Sequence, residues 1–168
     1  MAKFIVVGID DPYGKTPLQP DILNSSGQKL WGMTGLTMVR YAQLFERYNL
    51  FDVDESHNMK AARFKAMNIL VGINTRYVNT YVICLGRAVA GAFGLYDATP
   101  LQFKEVKNKV MAAYVPHTSG VNRWYNDPSN VRAATEFMQS VGAVAVGELD
   151  EYLINPSLFE EQSTILCS

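Results

Sequence analysis

A chain of 168 residues that is 48% hydrophobic, 11% aromatic and 18% charged has the balance of one ordinary globular domain, long enough to bury a core without disulfides or a structural metal. This excludes collagen-like, disordered and disulfide-stapled classes, and no apolar run approaches the ~20 residues that a membrane helix needs. The net charge of −1 hides an asymmetry: residues 148–168 carry five acidic side chains and no Lys or Arg, leaving 15 basic against 11 acidic residues before them. A mildly basic body of this kind fits a polyanion partner or simply a solvated surface. Asp10 and Asp11 follow the first apolar run too soon for a signal peptide, which leads to the expectation of a cytoplasmic protein. Cys84 in an apolar run, Cys167 near the C-terminus, His57 and His117 lack the neighbours that a disulfide framework or zinc site would want, so no metal or other cofactor is expected.

Lys3 to Val7 is a β-branched run ended by Gly8, the pattern of a buried parallel strand. From Ile9 to Ser26 the chain carries Pro12, Gly14, Pro17 and Pro20 and reads as a long irregular loop, which inside a small domain is usually functional. Helical periodicity begins near Gly27 with Leu30 and Trp31, breaks around Thr34-Gly35, and resumes through Val39, Tyr41, Ala42, Leu44 and Phe45, predicting two helical pieces at an angle. Tyr48 to Phe51 is a short extended segment. Asn58 can cap a helix running through Ala62, Phe64, Lys65, Ile69 and Leu70, with Asn74-Thr75 beyond its end. Tyr81 to Leu85 is a clear strand that leads through Gly86-Arg87 into a small-residue helix, Ala88 to Phe93, closed by Gly94. Val110 to Val115 is the next strand and Pro116 to Asp127 a polar, aromatic loop. Asp127 then caps a helix with Pro128 in its first turn and Val131, Ala134, Thr135 and Met138 on one face. Strands alternating with helices predict a three-layer α/β/α domain with a mostly parallel central sheet over residues 1–147. Residues 148–168 would be an acidic segment packed on it or extending from it.

Ligands of open α/β sheets sit at the carboxyl ends of the strands. Three loops leave such ends: Gly8 to Gly14, Leu85 to Arg87, and Pro116 to Asp127. If the three strands run parallel, these loops converge at one edge. Each also has a plainer reading, with Asp10 and Asp11 as turn formers, Gly86-Arg87 as a simple strand-to-helix turn, and His117 as a structural histidine. The third loop gathers His117, Ser119, Gly120, Asn122, Arg123, Trp124 and Tyr125, residues able to hold phosphates, stack on a base and donate a proton. No phosphate-binding P-loop, dinucleotide fingerprint, nucleophile elbow or His-Glu-x-x-His motif is present.

The order of these loops resembles the uracil-DNA glycosylase superfamily. The family's first motif is a strand ending in a turn of the Gly-Gln-Asp-Pro-Tyr or Gly-Glu-Ala-Pro-Gly kind, and Val6-Val7-Gly8-Ile9-Asp10-Asp11-Pro12-Tyr13-Gly14 is similar with one extra residue. Its last motif is a strand followed by His-Pro-Ser, which Val115-Pro116-His117-Thr118-Ser119-Gly120 resembles with Thr118 in the place of the proline. Between them, Ser25-Ser26-Gly27 opening a helix and Ile83-Cys84-Leu85-Gly86-Arg87 are similar to turns found in several branches, and the resemblance spans about Phe4 to Met138.

The resemblance implies a DNA glycosylase that flips a nucleotide and hydrolyses the N-glycosidic bond of uracil or a related pyrimidine, without a cofactor. By that likeness Asp11, with Asp10 as the fallback, would be the anion that steadies the sugar cation and positions water. His117 would donate to the base oxygen as charge develops there. Tyr13 would stack on or fence the base, and Asn49 would read its edge, since one amide supplies a donor and an acceptor. Ser26, Gly27, Lys29, Gly86, Arg87, Ser119, Gly120, Asn122 and Arg123 would line the DNA, with Val121 or Trp124 as a wedge. The alternative is a non-catalytic protein that binds nucleic acid or a nucleotide on the same fold. The acidic segment could also receive a protein partner.

Overall fold

Three runs of apolar residues without polar alternation require burial on both faces, and the computed structural model puts all three at the centre of a sheet. It describes residues 2–10, 17–52, 55–73, 79–119 and 122–156. In chain order these form β1 (Ala2–Gly8), α1 (Ser26–Thr34), α2 (Met38–Leu44), β2 (Phe45–Asn49), α3 (Met59–Val71), β3 (Asn79–Leu85), α4 (Arg87–Ala92), β4 (Phe103–Lys107), β5 (Val110–Val115) and α5 (Pro128–Ala145). Single 3₁₀ turns occupy Arg123–Asn126 and Glu151–Leu153.

The described strands make one sheet in the order β2-β1-β3-β5-β4. All neighbours are parallel except β4, which pairs antiparallel with β5 at the edge. Alternation along each central strand divides the core into two layers. Ile5, Val7, Val82, Cys84, Ala112 and Tyr114 face α3 and α4, while Phe4, Val6, Tyr81, Ile83, Leu85 and Val115 face the side of α1 and α5. The domain is therefore three-layered. Cys84 is wholly buried, and that burial raises its thiol pKa well above the ordinary range.

Local chemistry sets the element ends. Ser25, Thr37, Asn58 and Asp127 each cap a helix by accepting a backbone N–H from within its first turn. Pro128 stands at the start of α5, where its missing N–H costs nothing. Three details differ from the sequence expectations. Phe45 opens β2 rather than closing a helix, because α2 runs directly into the strand. The edge strand β4 went unforeseen: Phe-Lys-Glu-Val-Lys carries three charges in five residues, as edges do to discourage further pairing. On α5 the buried face is Ala134, Met138 and Val141, and Val131 is 41% exposed.

The chain after α5 turns at Gly147, which has a positive φ of 81°, and returns along the amino edge of the sheet. Glu151 accepts hydrogen bonds from the Tyr81 hydroxyl and from Asn79 Nδ2, and Ile154 enters the core. Residues 148–156 are thus packed on the domain, and residues 157–168 lie outside the described residues.

The long loop after β1 folds onto the start of α1. A Cβ on Gly27 would lie 2.4 Å from the backbone of Leu18, so only glycine lets the loop close there. Ser25 reinforces the contact by donating from Oγ to the Gln19 carbonyl at 3.3 Å. On the same helix Gly32 has nothing within 4 Å of a built Cβ. The two glycines therefore give opposite expectations. Gly27→Ala should lower stability by about 1–3 kcal/mol through overpacking, whereas Gly32→Ala should raise it by about 0.5–1 kcal/mol through helix propensity. Urea midpoints at unchanged slope measure both, and equal effects of the two substitutions would refute the packing assigned to Leu18.

Candidate functional site

Because β1, β2, β3 and β5 are parallel, their carboxyl ends share one edge. Register fixes which residues arrive there together: Gly8 stands opposite Asn49, and Leu85 opposite Val115. Strand order reverses beside β1, whose following loop leads to α1 on one face, while Gly86 leads from β3 to α4 on the other. A crevice at such a switch point is where open α/β sheets take ligands.

His117 lies at its centre. A Cβ on Gly86 would be 3.7 Å from both Cβ and Cδ2 of the histidine, and Gly86 itself has φ +96° and ψ 160°, a conformation nearly confined to glycine. The Ser119 N–H donates to His117 Nδ1 at 3.1 Å. Burial depresses the imidazole pKa below its ordinary value; Asp10 opposes that shift and Lys29 adds to it. The ring is neutral at pH 7, and with Nδ1 accepting, its proton sits on Nε2. No described residue hydrogen-bonds Nε2.

Five hydrogen bonds hold the segment that carries this histidine. Thr118, only 4% exposed, donates from Oγ1 to the Ser26 carbonyl at 3.0 Å, tying the loop to the first turn of α1. Asn122 Nδ2 donates to the His117 carbonyl at 2.8 Å while its Oδ1 accepts from the Trp124 N–H. The Tyr125 hydroxyl donates to the Pro116 carbonyl at 2.6 Å, and the Gly86 N–H to the Val115 carbonyl at 2.9 Å. Thr118 thus makes a tertiary anchor that its short polar side chain did not advertise.

Asp10 enters from the β1 side. The β1–β2 ladder continues past both strands through Leu50 N–H to the Gly8 carbonyl and Phe51 N–H to the Ile9 carbonyl, fixing the start of the loop. That extension brings His57 to Asp10, with Nε2 3.0 Å from Oδ2, and its ring stacks on Phe51 at 4.6 Å. A contact this exposed is worth at most about 1 kcal/mol, so its effect is to orient the carboxylate rather than to stabilise the fold. His57 was not singled out as a site residue, since 47 positions separate it from Asp10 and only the strand pairing joins them.

Asn49 closes the crevice beside Gly8. Its Oδ1 is buried, has no hydrogen-bond partner among the described residues, and would be 2.9 Å from a Cβ on Gly8. An acceptor left without a donor costs about 1–3 kcal/mol, which a ligand N–H would recover.

The structure thus brings together Asp10, Asn49, Ser26, Lys29, Gly86, His117 and Ser119. Gly27 is buried under Leu18. Arg87 turns to the other face, its guanidinium 5.2 Å from the Tyr114 ring centroid. Arg123 and Trp124 sit one turn beyond, and their side chains make no hydrogen bond or ion pair with a described residue. Asp11, Tyr13, Gly120 and Val121 lie outside the described residues. Among the described residues no group of three His, Cys, Asp or Glu could hold a metal ion, and no helix is long and apolar enough to cross a membrane. Two other hollows, of about 580 and 630 Å³, lie against the amino ends of β1 and β3 and between β4 and α5.

This electrostatic arrangement makes a directional prediction for His117. Followed by NMR against pH, its pKa should fall further in Asp10→Asn and rise in Lys29→Ala; no movement in either would refute the geometry. Its folded value lies below the unfolded one, so the unfolded chain takes up the proton first as pH falls. The neutral ring's contribution to stability is complete above the ordinary value of 6.5 and is lost as pH drops from there through the folded value.

No protein-family model matches this chain, and no curated protein matches it.

Proposed function

We propose that the protein is a DNA glycosylase that hydrolyses the N-glycosidic bond of uracil or a related pyrimidine in a nucleotide turned out of its strand. The observation that carries this reading is the placement of His117 against Gly86, with the Ser119 amide donating to its Nδ1 and Asp10 near enough to act on its charge. Heterolysis of the bond between C1′ and the base nitrogen leaves its electron pair on the base and positive charge on the sugar. His117 Nε2–H donates to the base oxygen as that negative charge grows. A carboxylate of the Asp10–Asp11 pair steadies the sugar and orients the water that adds to C1′, the water's proton passing to the carboxylate or to solvent.

Asn49 supports the choice of base. Its buried, unpaired Oδ1 wants a donor, and the N3–H of uracil or thymine is one, while Nδ2 can give to the neighbouring carbonyl oxygen. Cytosine puts an acceptor at N3, so Oδ1 would have to move to the N4 amino group to find a donor. Lys29 and the first turn of α1 are suited to flanking phosphates.

An end-labelled oligonucleotide containing one uracil, incubated without metal and treated with alkali, tests the reaction. Wild type should give strand scission at the uracil. His117→Ala should slow it by about 10²–10³-fold, the usual cost of losing one donor to a developing anion. Asp10→Asn and Asp11→Asn, run separately, identify the carboxylate. Absence of scission on uracil and on modified pyrimidines, with DNA binding unchanged in all three variants, would replace the enzyme by a nucleic-acid-binding protein on this scaffold.

A further inference from the structure

One residue beyond Gly86, on the α3–α4 face, a separate hollow of about 280 Å³ opens at the same edge of the sheet. Arg87, Tyr114, Tyr96 and Asp97 surround it, and Met59 and Gly91 contribute apolar lining. Tyr96 is 59% exposed, and the Arg63 guanidinium stands 5.4 Å from its ring centroid. Arg87 stands similarly over Tyr114, a ring that is almost wholly buried. The hollow is thus walled by two aromatic rings, each accompanied by an arginine.

We propose that this hollow receives the base of a nucleotide next to the flipped one in a single-stranded DNA segment, stacked on Tyr96, with Arg63 and Arg87 holding the adjoining phosphates. The proposal rests on the nucleic-acid half of the reading above and adds the path of the strand. Three features select this ligand. A hollow of this size falls just below the ~300–1,000 Å³ of pockets that enclose a whole small ligand, so it accommodates one ring system and leaves sugar and phosphate outside, where both arginines are exposed. Aromatic platforms beside basic groups bind single strands irrespective of sequence, because every base has a π-face. Asp97 disfavours a purely anionic ligand: it reduces the balance of Arg63, Arg87 and Asp97 to a single positive charge, while its carboxylate can accept an exocyclic amino N–H. Arg87 follows Gly86 in the chain and Gly86 packs against His117, so the hollow and the crevice adjoin through this one turn.

Fluorescence anisotropy with a short single-stranded oligonucleotide centred on thymine, compared with the same strand carrying abasic residues on both flanks, isolates the base from its phosphates. The intact strand should bind wild type about tenfold more tightly than the abasic-flanked one. Tyr96→Ala should abolish that difference, and Tyr96→Phe should keep it, which a loss of fold would not reproduce. Arg63→Gln should weaken both strands and flatten the salt dependence by about 0.7 in logarithmic slope. Equal affinity of wild type for the two strands, or an undiminished difference in Tyr96→Ala, overturns the subsite. Excision measured on the uracil-centred strand separates the two claims. Excision without flank dependence removes the subsite alone, whereas Tyr96-dependent binding without excision removes the glycosylase and leaves the subsite standing.

Discussion

Parallel pairing is the constraint from which the rest follows. Four strands that run the same way must deliver their carboxyl ends to one edge, and each return must cross a face of the sheet in a helix. Because β1 lies between β2 and β3, chain segments of distant sequence, from Gly8, Asn49, Leu85 and Val115 onward, leave the same edge, each about 4.8 Å from its neighbour. The apolar runs of β1, β3 and β5 enforce this arrangement, since a strand shifted by one residue would exchange the two layers of the core. The crevice is therefore rigid at its base, and its chemistry resides on loops that begin at buried strand ends.

A second level of order comes from the first turn of α1. It takes Leu18 of the first loop onto Gly27, and it takes Thr118 of the last loop onto the Ser26 carbonyl. Both loops flanking the crevice thus rest on the opening of α1, the first on Gly27 and the last on Ser26. Displacing either one disturbs the other, although neither touches its counterpart through any bond described above. The backbone of the His117 loop is also held by Asn122 and Tyr125, so the imidazole has little freedom to leave Gly86.

What the sequence disclosed was whatever depends on near neighbours. The parallel strands were legible because unbroken apolar runs ended by glycine have few other uses, and the caps Asn58 and Asp127 because capping is a bond across two or three residues. His117 and Asp10 were legible as residues leaving strand ends. The edge strand β4 escaped because its half-exposed, charged pattern is also that of a loop. His57, Thr118 and the Arg63–Tyr96 pair escaped for a different reason: each acts through a partner that only the fold brings close, and no local pattern marks a side chain by its tertiary neighbour.

The electrostatics of the crevice bear on how such a site would work. Burial outweighs Asp10 at His117, and Lys29 supplies an opposing charge. The result is a donor without a formal charge. An imidazolium would attract phosphate in the bound state as strongly as it would attract a departing base anion, and binding of that kind does not lower a barrier. A neutral Nε2–H, held by the Ser119 amide in one tautomer, gains most only when negative charge appears in front of it. Protonating the ring would also set a second N–H against that amide at Nδ1 and loosen the loop. In the proposed reaction the depressed pKa is thus a condition for discrimination between ground and transition states, and the burial that produces it follows from the parallel sheet that brings His117 against Gly86.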